Sequence, residues 1–303
     1  MRDRLTDWAY VAGWTAVKAL PERFGRAAFR ASADLALRRQ GRGARQLAAN
    51  LRRVVGAGPE EALPPDLLRE AMRSYSRYWL ETFRLPVMDH DAVGRNVDAG
   101  CEGKEHLDKA HADGTGVVLA LPHMGNWDAA AVWMNWRGMP ITAVAERLRP
   151  ESLYRRFVAY RESLGMQIVP LTGGERSPRQ ALAECLAANR VVCLLADRDL
   201  SRTGIEVSFF GEPATMPPGP ALLAATTGAV VLPVGLWFEG DGWAQRIGPP
   251  IDIPTEGRLR DRVRAGTQAL ADVFEAEIAE HPTDWHMLQR LWRADVPPRP
   301  EGG

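Results

Sequence analysis

The pattern that most constrains this chain begins after Gly100, where short, uncharged apolar runs alternate with helix-like stretches. The runs are 117–121, 141–145, 167–171, 191–195 and 229–234, each about the length of one strand. They are continuously apolar, with no polar residue at every second place, so both faces of each strand must be covered. Between them lie helical patterns at 127–136, 153–164, 178–188 and 220–227; Ser177 stands ready to cap the third, with proline at its first position. This alternation predicts an α/β fold, a mainly parallel central sheet flanked by helices. In such a sheet, ligands gather at the carboxyl ends of the strands. A helix over 259–280 and an aromatic segment with Trp285 and Trp292 close the pattern.

Residues 1–86 read differently. Pro21, the break at 56–59 and the Pro64, Pro65 pair separate helical stretches with no strand signal. They predict an N-terminal helical region packed on a core spanning 87–296, with a disordered proline-rich tail at 297–303. The uncharged stretch 220–238 meets the length of a membrane span. Thr226, Thr227 and Gly228 interrupt it, so a helix, a turn and a buried strand are expected instead. The first residues lack the unbroken apolar run of a cleavable signal peptide.

Lysine plus arginine and aspartate plus glutamate both total 38, a neutral balance that argues against a dedicated nucleic-acid binder. Locally the balance is broken. From Arg23 to Arg53 there are nine arginines and one acid, Asp34. Just before them Trp8, Val11, Trp14 and Val17 recur every third residue. An aromatic face beside an arginine-rich segment is what a helix lying in an anionic membrane surface requires, since rings reach the acyl boundary while guanidinium groups meet phosphates. A helix packed on its own domain is the plainer alternative. Three cysteines, Cys101, Cys185 and Cys193, have no metal-ligand spacing and point to a reducing compartment.

The sharpest chemical signal is His123, reached directly from the run VVLALP and followed by Met, Gly, Asn, Trp and Asp128. A histidine at a strand's carboxyl end can serve as general base if a carboxylate holds one ring nitrogen. Asp128, in the first turn of the next helix, is the expected holder, and would set the tautomer. Asp197 follows the run VVCLL and should reach the same sheet edge, as a second carboxylate beside the imidazole; Asp199 is the alternative for that place.

Read together, His-x4-Asp, the segment 161–165 (RESLG), 196–199 (ADRD), 207–214 (VSFFGEPA) and 219–233 stand in an order that resembles the HTRB-like branch of the lipid A and glycerolipid acyltransferases over essentially the whole chain. Within it, the N-terminal half and the ending HPTDWHMLQRLW resemble the actinobacterial branch that acylates phosphatidylinositol mannosides. The resemblance implies a peripheral enzyme on the cytoplasmic face of the cell membrane. It implies transfer of palmitoyl from acyl-CoA, a co-substrate, to a mannose hydroxyl of a phosphoinositol mannolipid. No cofactor and no metal are implied.

Carried over residue by residue, His123 matches the general base, Asp128 its motif partner, and Arg161 the arginine of the R-x-x-x-G block, a candidate clamp for phosphate or the thioester carbonyl. Ser201 and Thr203 are candidate substrate-binding hydroxyls. A hydrolase-type serine elbow, G-x-S-x-G, is absent, and Cys193 sits inside a strand, so direct transfer is expected over a covalent acyl-enzyme. Phe209 and Phe210 are expected as a lid on an acyl chain or as core. His90, His106, His111, His281 and His286 have no motif partner and are expected to serve packing or surface roles. A non-catalytic lipid-binding module would explain the arginines and tryptophans but not three polar residues at predicted sheet edges.

Overall fold

The computed structural model describes residues 17–18, 20–58, 61–147, 149–174, 176–199 and 204–295. Trp8, Val11, Trp14 and the tail 297–303 therefore lie outside the described residues, as do Ser201 and Thr203.

Three helices precede the sheet: α1 (Glu22–Arg38), α2 (Arg42–Val54) and α3 (Leu67–Arg84). They share a small core of their own, in which Ala33, Leu47, Leu51 and Met72 are buried. Next come α4 (His90–Ala99), β1 (Cys101–Glu102), α5 (Lys104–Ala112), β2 (Val117–Leu121), α6 (Trp127–Trp136), β3 (Ile141–Ala145), α7 (Glu151–Ser163) and β4 (Gln167–Pro170). After them follow α8 (Pro178–Ala187), β5 (Val191–Leu195), β6 (Ile205–Phe209), β7 (Glu212–Met216), α9 (Gly219–Thr227), β8 (Val230–Glu239), β9 (Gly242–Ile247) and α10 (Leu259–Glu280).

Seven strands form one sheet in the order β1-β9-β8-β2-β5-β3-β4. From β8 to β4 every pairing is parallel, and only the β8–β9 hairpin runs antiparallel. The expected α/β sheet flanked by helices is thus present. β2, at its centre, is buried along its whole length, as its five consecutive apolar residues require. Ser177 caps α8 by accepting from the Gln180 N–H at 3.2 Å. The stretch 220–238 resolves into α9, a left-handed Gly228 at φ 79° and β8. Among the described residues no helix is long and apolar enough to cross a membrane.

The sheet departs from expectation at its far edge. β8 runs on to Glu239 and turns back as β9, and a separate antiparallel hairpin, β6–β7, packs beside α10. Phe209 belongs to the core: fully buried, it stacks on Trp292 at 5.7 Å, and the Trp292 indole donates to its carbonyl at 2.8 Å.

Candidate active site

β2 and β5 pair in parallel with Leu121 opposite Leu195, so the residues two places beyond each, His123 and Asp197, leave the sheet together. The Ala196 N–H bonds to the Leu121 carbonyl at 2.8 Å and prolongs the register to the edge. One Asp197 oxygen lies 2.5 Å from His123 Nδ1, and the other accepts the His123 backbone N–H at 2.9 Å. The Trp285 indole donates to that second oxygen at 3.0 Å. Asp197 is wholly buried. Burial alone would raise its pKa, but the facing His123 charge and these three donors outweigh it and hold the carboxyl below its usual range.

This arrangement corrects one expectation: the carboxylate on the His123 ring is Asp197, not Asp128. Helix α6 carries Asp128 away from the imidazole into a separate buried cluster. There its carboxylate accepts from Tyr78 at 3.3 Å and Thr82 at 3.5 Å and faces Arg161 Nε at 3.4 Å. Burial opposes the Arg161 charge, but Asp128, Tyr78 and Tyr160 more than restore it, raising its pKa above the ordinary guanidinium value. Arg161 and Asp128 are thus each other's counter-ions behind the loop. Asp199 accepts the Gly204 N–H at 3.0 Å, and it is Asp197 that bonds to the imidazole.

The loop between His123 and α6 is fastened at every step. Gly125 has φ 56°, and a Cβ there would stand 2.6 Å from the backbone carbon of Leu236, so only glycine fits. Its N–H donates to the Asp284 carbonyl at 2.9 Å, and His286 donates its own N–H to the His123 carbonyl at 2.7 Å. Asn126 caps α6, accepting from Ala129 at 3.0 Å, while its amide donates to Glu81 at 2.7 Å. Trp127 meets the His123 ring edge-on, with centroids 5.8 Å apart.

His286 belongs to this neighbourhood although no motif announces it. It is buried, its Nε2 lies 2.9 Å from Ser74 Oγ, and burial, with the nearby His123 charge, pushes its pKa down to about 3. It is a neutral packing group directly beneath the loop. The signal that could have found it is the dense aromatic segment around Trp285, which suggests docking against the sheet edge.

Asp197 fixes Nδ1 of His123, so proton transfer falls to Nε2, and the imidazolium formed there would face a buried carboxylate. The His123 side chain is 26% exposed, enough for a substrate hydroxyl to reach it. Burial pushes the Cys193 thiol up to about 12, which removes it as a thiolate nucleophile. Among the described residues no cluster of His, Cys, Asp and Glu could hold a metal ion. A narrow apolar cavity of about 20 Å³ lies between α6 and the sheet, lined by Leu119, Trp133, Met134, Ile141, Val234 and Ile247 among others.

The chain is similar to known acyltransferases over most of its length. The family model for bacterial lipid A biosynthesis acyltransferases matches residues 1–294. A phosphatidylinositol mannoside acyltransferase of Mycobacterium tuberculosis is 55% identical over 291 residues, 96% of this chain and 90% of the relative. One of Mycolicibacterium smegmatis is 53% identical over 293 residues, 97% of this chain and 93% of the relative. A lipid A biosynthesis acyltransferase of Haemophilus influenzae is 25% identical over 192 residues, 63% of this chain and 58% of the relative. A family match over residues 1–294, with relatives more than half identical across nearly the whole chain, makes this chain an acyltransferase of the bacterial lipid A biosynthesis acyltransferase family.

Proposed function

We propose that the chain transfers a long acyl group, palmitoyl, from acyl-CoA to a mannose hydroxyl of a phosphatidylinositol mannoside, with His123 as general base. The observation that carries the chemistry is the double grip of Asp197 on His123. The acceptor is argued from the names of the relatives that match almost the whole chain. His123 Nε2 takes the proton of the sugar hydroxyl as its oxygen attacks the thioester carbonyl. The C–S bond then breaks, and the imidazolium returns the proton to the departing thiolate, releasing free coenzyme A. Asp197 keeps its charge throughout and stabilises the imidazolium.

The reaction is proposed to occur at the cytoplasmic face of the cell membrane, with the protein attached peripherally. Phe24 and Leu35 on α1 are 53% and 47% exposed, on the same helix as Arg23, Arg30 and Arg38. Apolar side chains flanked by arginines suit the boundary between acyl chains and anionic headgroups. The test is release of coenzyme A from palmitoyl-CoA, with a phosphatidylinositol mannoside and a lipid A precursor as rival acceptors in vesicles. Turnover with the mannoside, lost in a folded His123→Ala protein, supports the reading. Turnover only with the precursor reassigns the acceptor, and undiminished turnover in His123→Ala removes the mechanism.

A further inference from the structure

A cavity of about 430 Å³ opens between α1, α3 and the tip of the β8–β9 hairpin, and His123 is not among its lining residues. It nevertheless shares a wall with the catalytic loop. Ser74 and Asp284 form its back, and the Ser74 hydroxyl lies 2.5 Å from Asp284 Oδ1 and 2.9 Å from His286 Nε2. His286 in turn bonds to the His123 carbonyl. Glu81, another wall residue, makes a second link: one oxygen accepts from both Asn126 and the Trp243 indole at 2.7 Å, the other from Arg77 Nε at 2.6 Å.

The charge of the lining decides what the chamber can hold. Five arginines and five carboxylates face it. Arg26 is paired with Glu22 and Asp241, Arg73 with Glu70 and with Asp34 outside the lining, and Arg77 with Glu81, while Arg84 donates to the Leu20 carbonyl at 2.7 Å and Arg30 completes the five cations that balance the five carboxylates. A phosphate would meet no surplus of positive charge here, and would lie against carboxylates. A ring bearing several hydroxyls has the opposite requirement, because each hydroxyl both donates and accepts. Carboxylates and guanidinium groups in one lining satisfy both needs, and Phe29 and Trp243 offer aromatic surface for the ring's C–H face. The volume suits one or two such rings. The chamber is bordered by α1, the helix that presents Phe24 and Leu35, so a lipid headgroup at the membrane surface would lie near its mouth.

We infer that this chamber holds an uncharged polyhydroxylated ring, a sugar or cyclitol unit of the acceptor headgroup other than the unit acylated at His123. The inference rests on the reading of the acceptor as a glycolipid.

The test is saturation-transfer NMR on the full chain with methyl α-mannopyranoside, myo-inositol and inorganic phosphate as separate probes. The neutral rings should bind with roughly millimolar Kd, and phosphate should not displace them. Thr283→Tyr, which fills the chamber from its lining, should weaken that binding at least tenfold. The double change Arg26→Gln with Asp241→Asn, at an exposed pair, should weaken it several-fold and keeps the test open if the tyrosine prevents folding. Binding of phosphate in place of the rings, binding of neither ring, or undiminished binding in a folded Thr283→Tyr protein overturns the inference. Coenzyme A release separates this from the proposed function. Wild-type protein that binds the rings in a Thr283-sensitive way yet acylates no glycolipid keeps the chamber and loses the function. Full turnover with unchanged acceptor KM in Thr283→Tyr keeps the function and overturns the chamber.

Discussion

Asp197 holds His123 at two points, the ring Nδ1 at 2.5 Å and the backbone N–H at 2.9 Å. The carboxylate therefore fixes ring tautomer and loop position together, and a third donor, the Trp285 indole, keeps it from turning. Because the grip is on a parallel strand pair, its geometry comes from the sheet register and not from the flexible part of a loop.

Asp197→Asn should therefore lower kcat/KM by about 10⁴-fold, the size of effect seen when a neutral amide replaces a histidine's orienting carboxylate. Acceptor KM should change little, because the carboxylate is buried behind the ring. Steady-state rates with a folded variant check this. A loss under tenfold would show that the imidazole works without its partner.

Asp128→Asn should behave otherwise. It leaves the His123 ring partner in place but removes the charge facing buried Arg161 at 3.4 Å. Breaking a buried pair from one side costs about 3–5 kcal/mol, so the main effect should be a lower midpoint in denaturant unfolding. Restoring stability with a compatible second change, Arg161→Met, should recover the fold without recovering full activity if Arg161 also touches substrate. An unchanged unfolding midpoint in Asp128→Asn would show the pair to be unimportant for folding.

His286 makes acid stability a specific expectation. Its pKa is about 3 in the folded protein, lowered by burial and by His123, against about 6.5 in an unfolded chain. Between those values the unfolded chain binds the extra proton. The imidazole's contribution is thus fully present above about pH 6.5 and is lost as pH falls toward 3, by up to about 1.4 kcal/mol per pH unit. Asp284 beside it is shifted upward, first by burial, and gives a slope of opposite sign near the carboxylate range. The difference between wild type and His286→Asn, in which Asp284 is common, isolates the imidazole. The variant should lose less stability between pH 6.5 and 5; parallel unfolding curves would contradict this.

Replacing Arg38, Arg39, Arg42 and Arg45, all exposed, with glutamine should weaken binding to anionic vesicles. Each cation near such a surface contributes about 1 kcal/mol, so the four together should cost on the order of 10²- to 10³-fold in affinity, and high salt should mimic the change. Co-sedimentation with phosphatidylinositol-containing vesicles is the measurement. Equal binding before and after would leave the arginines as a solvated face.

Three of the strands, β2, β3 and β5, stand at the residues that their continuous apolar runs predict, because a strand covered on both faces leaves a dense signal. The two hairpins were not legible. In β9 the sequence GWAQRI mixes glycine, glutamine and arginine, and in β7 a proline interrupts EPATM, so neither shows a clean period. The meeting of His123 and Asp197 at one sheet edge was legible, because both follow strong strands. It misled at Asp128, because five residues of separation across a loop and helix start do not place two side chains together: α6 aims Asp128 at Tyr78 and Arg161. The aromatic segment around Trp285 hints that the last stretch docks on the sheet edge, but which of its side chains lies under the loop depends on tertiary packing, so His286 was missed.

That last segment sets when the site can exist. The His123 carbonyl, the Gly125 N–H and the second oxygen of Asp197 all wait for partners in residues 284–286, far downstream in the chain. During synthesis on the ribosome, β2 and its loop emerge well before the strip that fastens them. A half-made chain consequently carries His123 without the three restraints that hold its loop and its carboxylate in place.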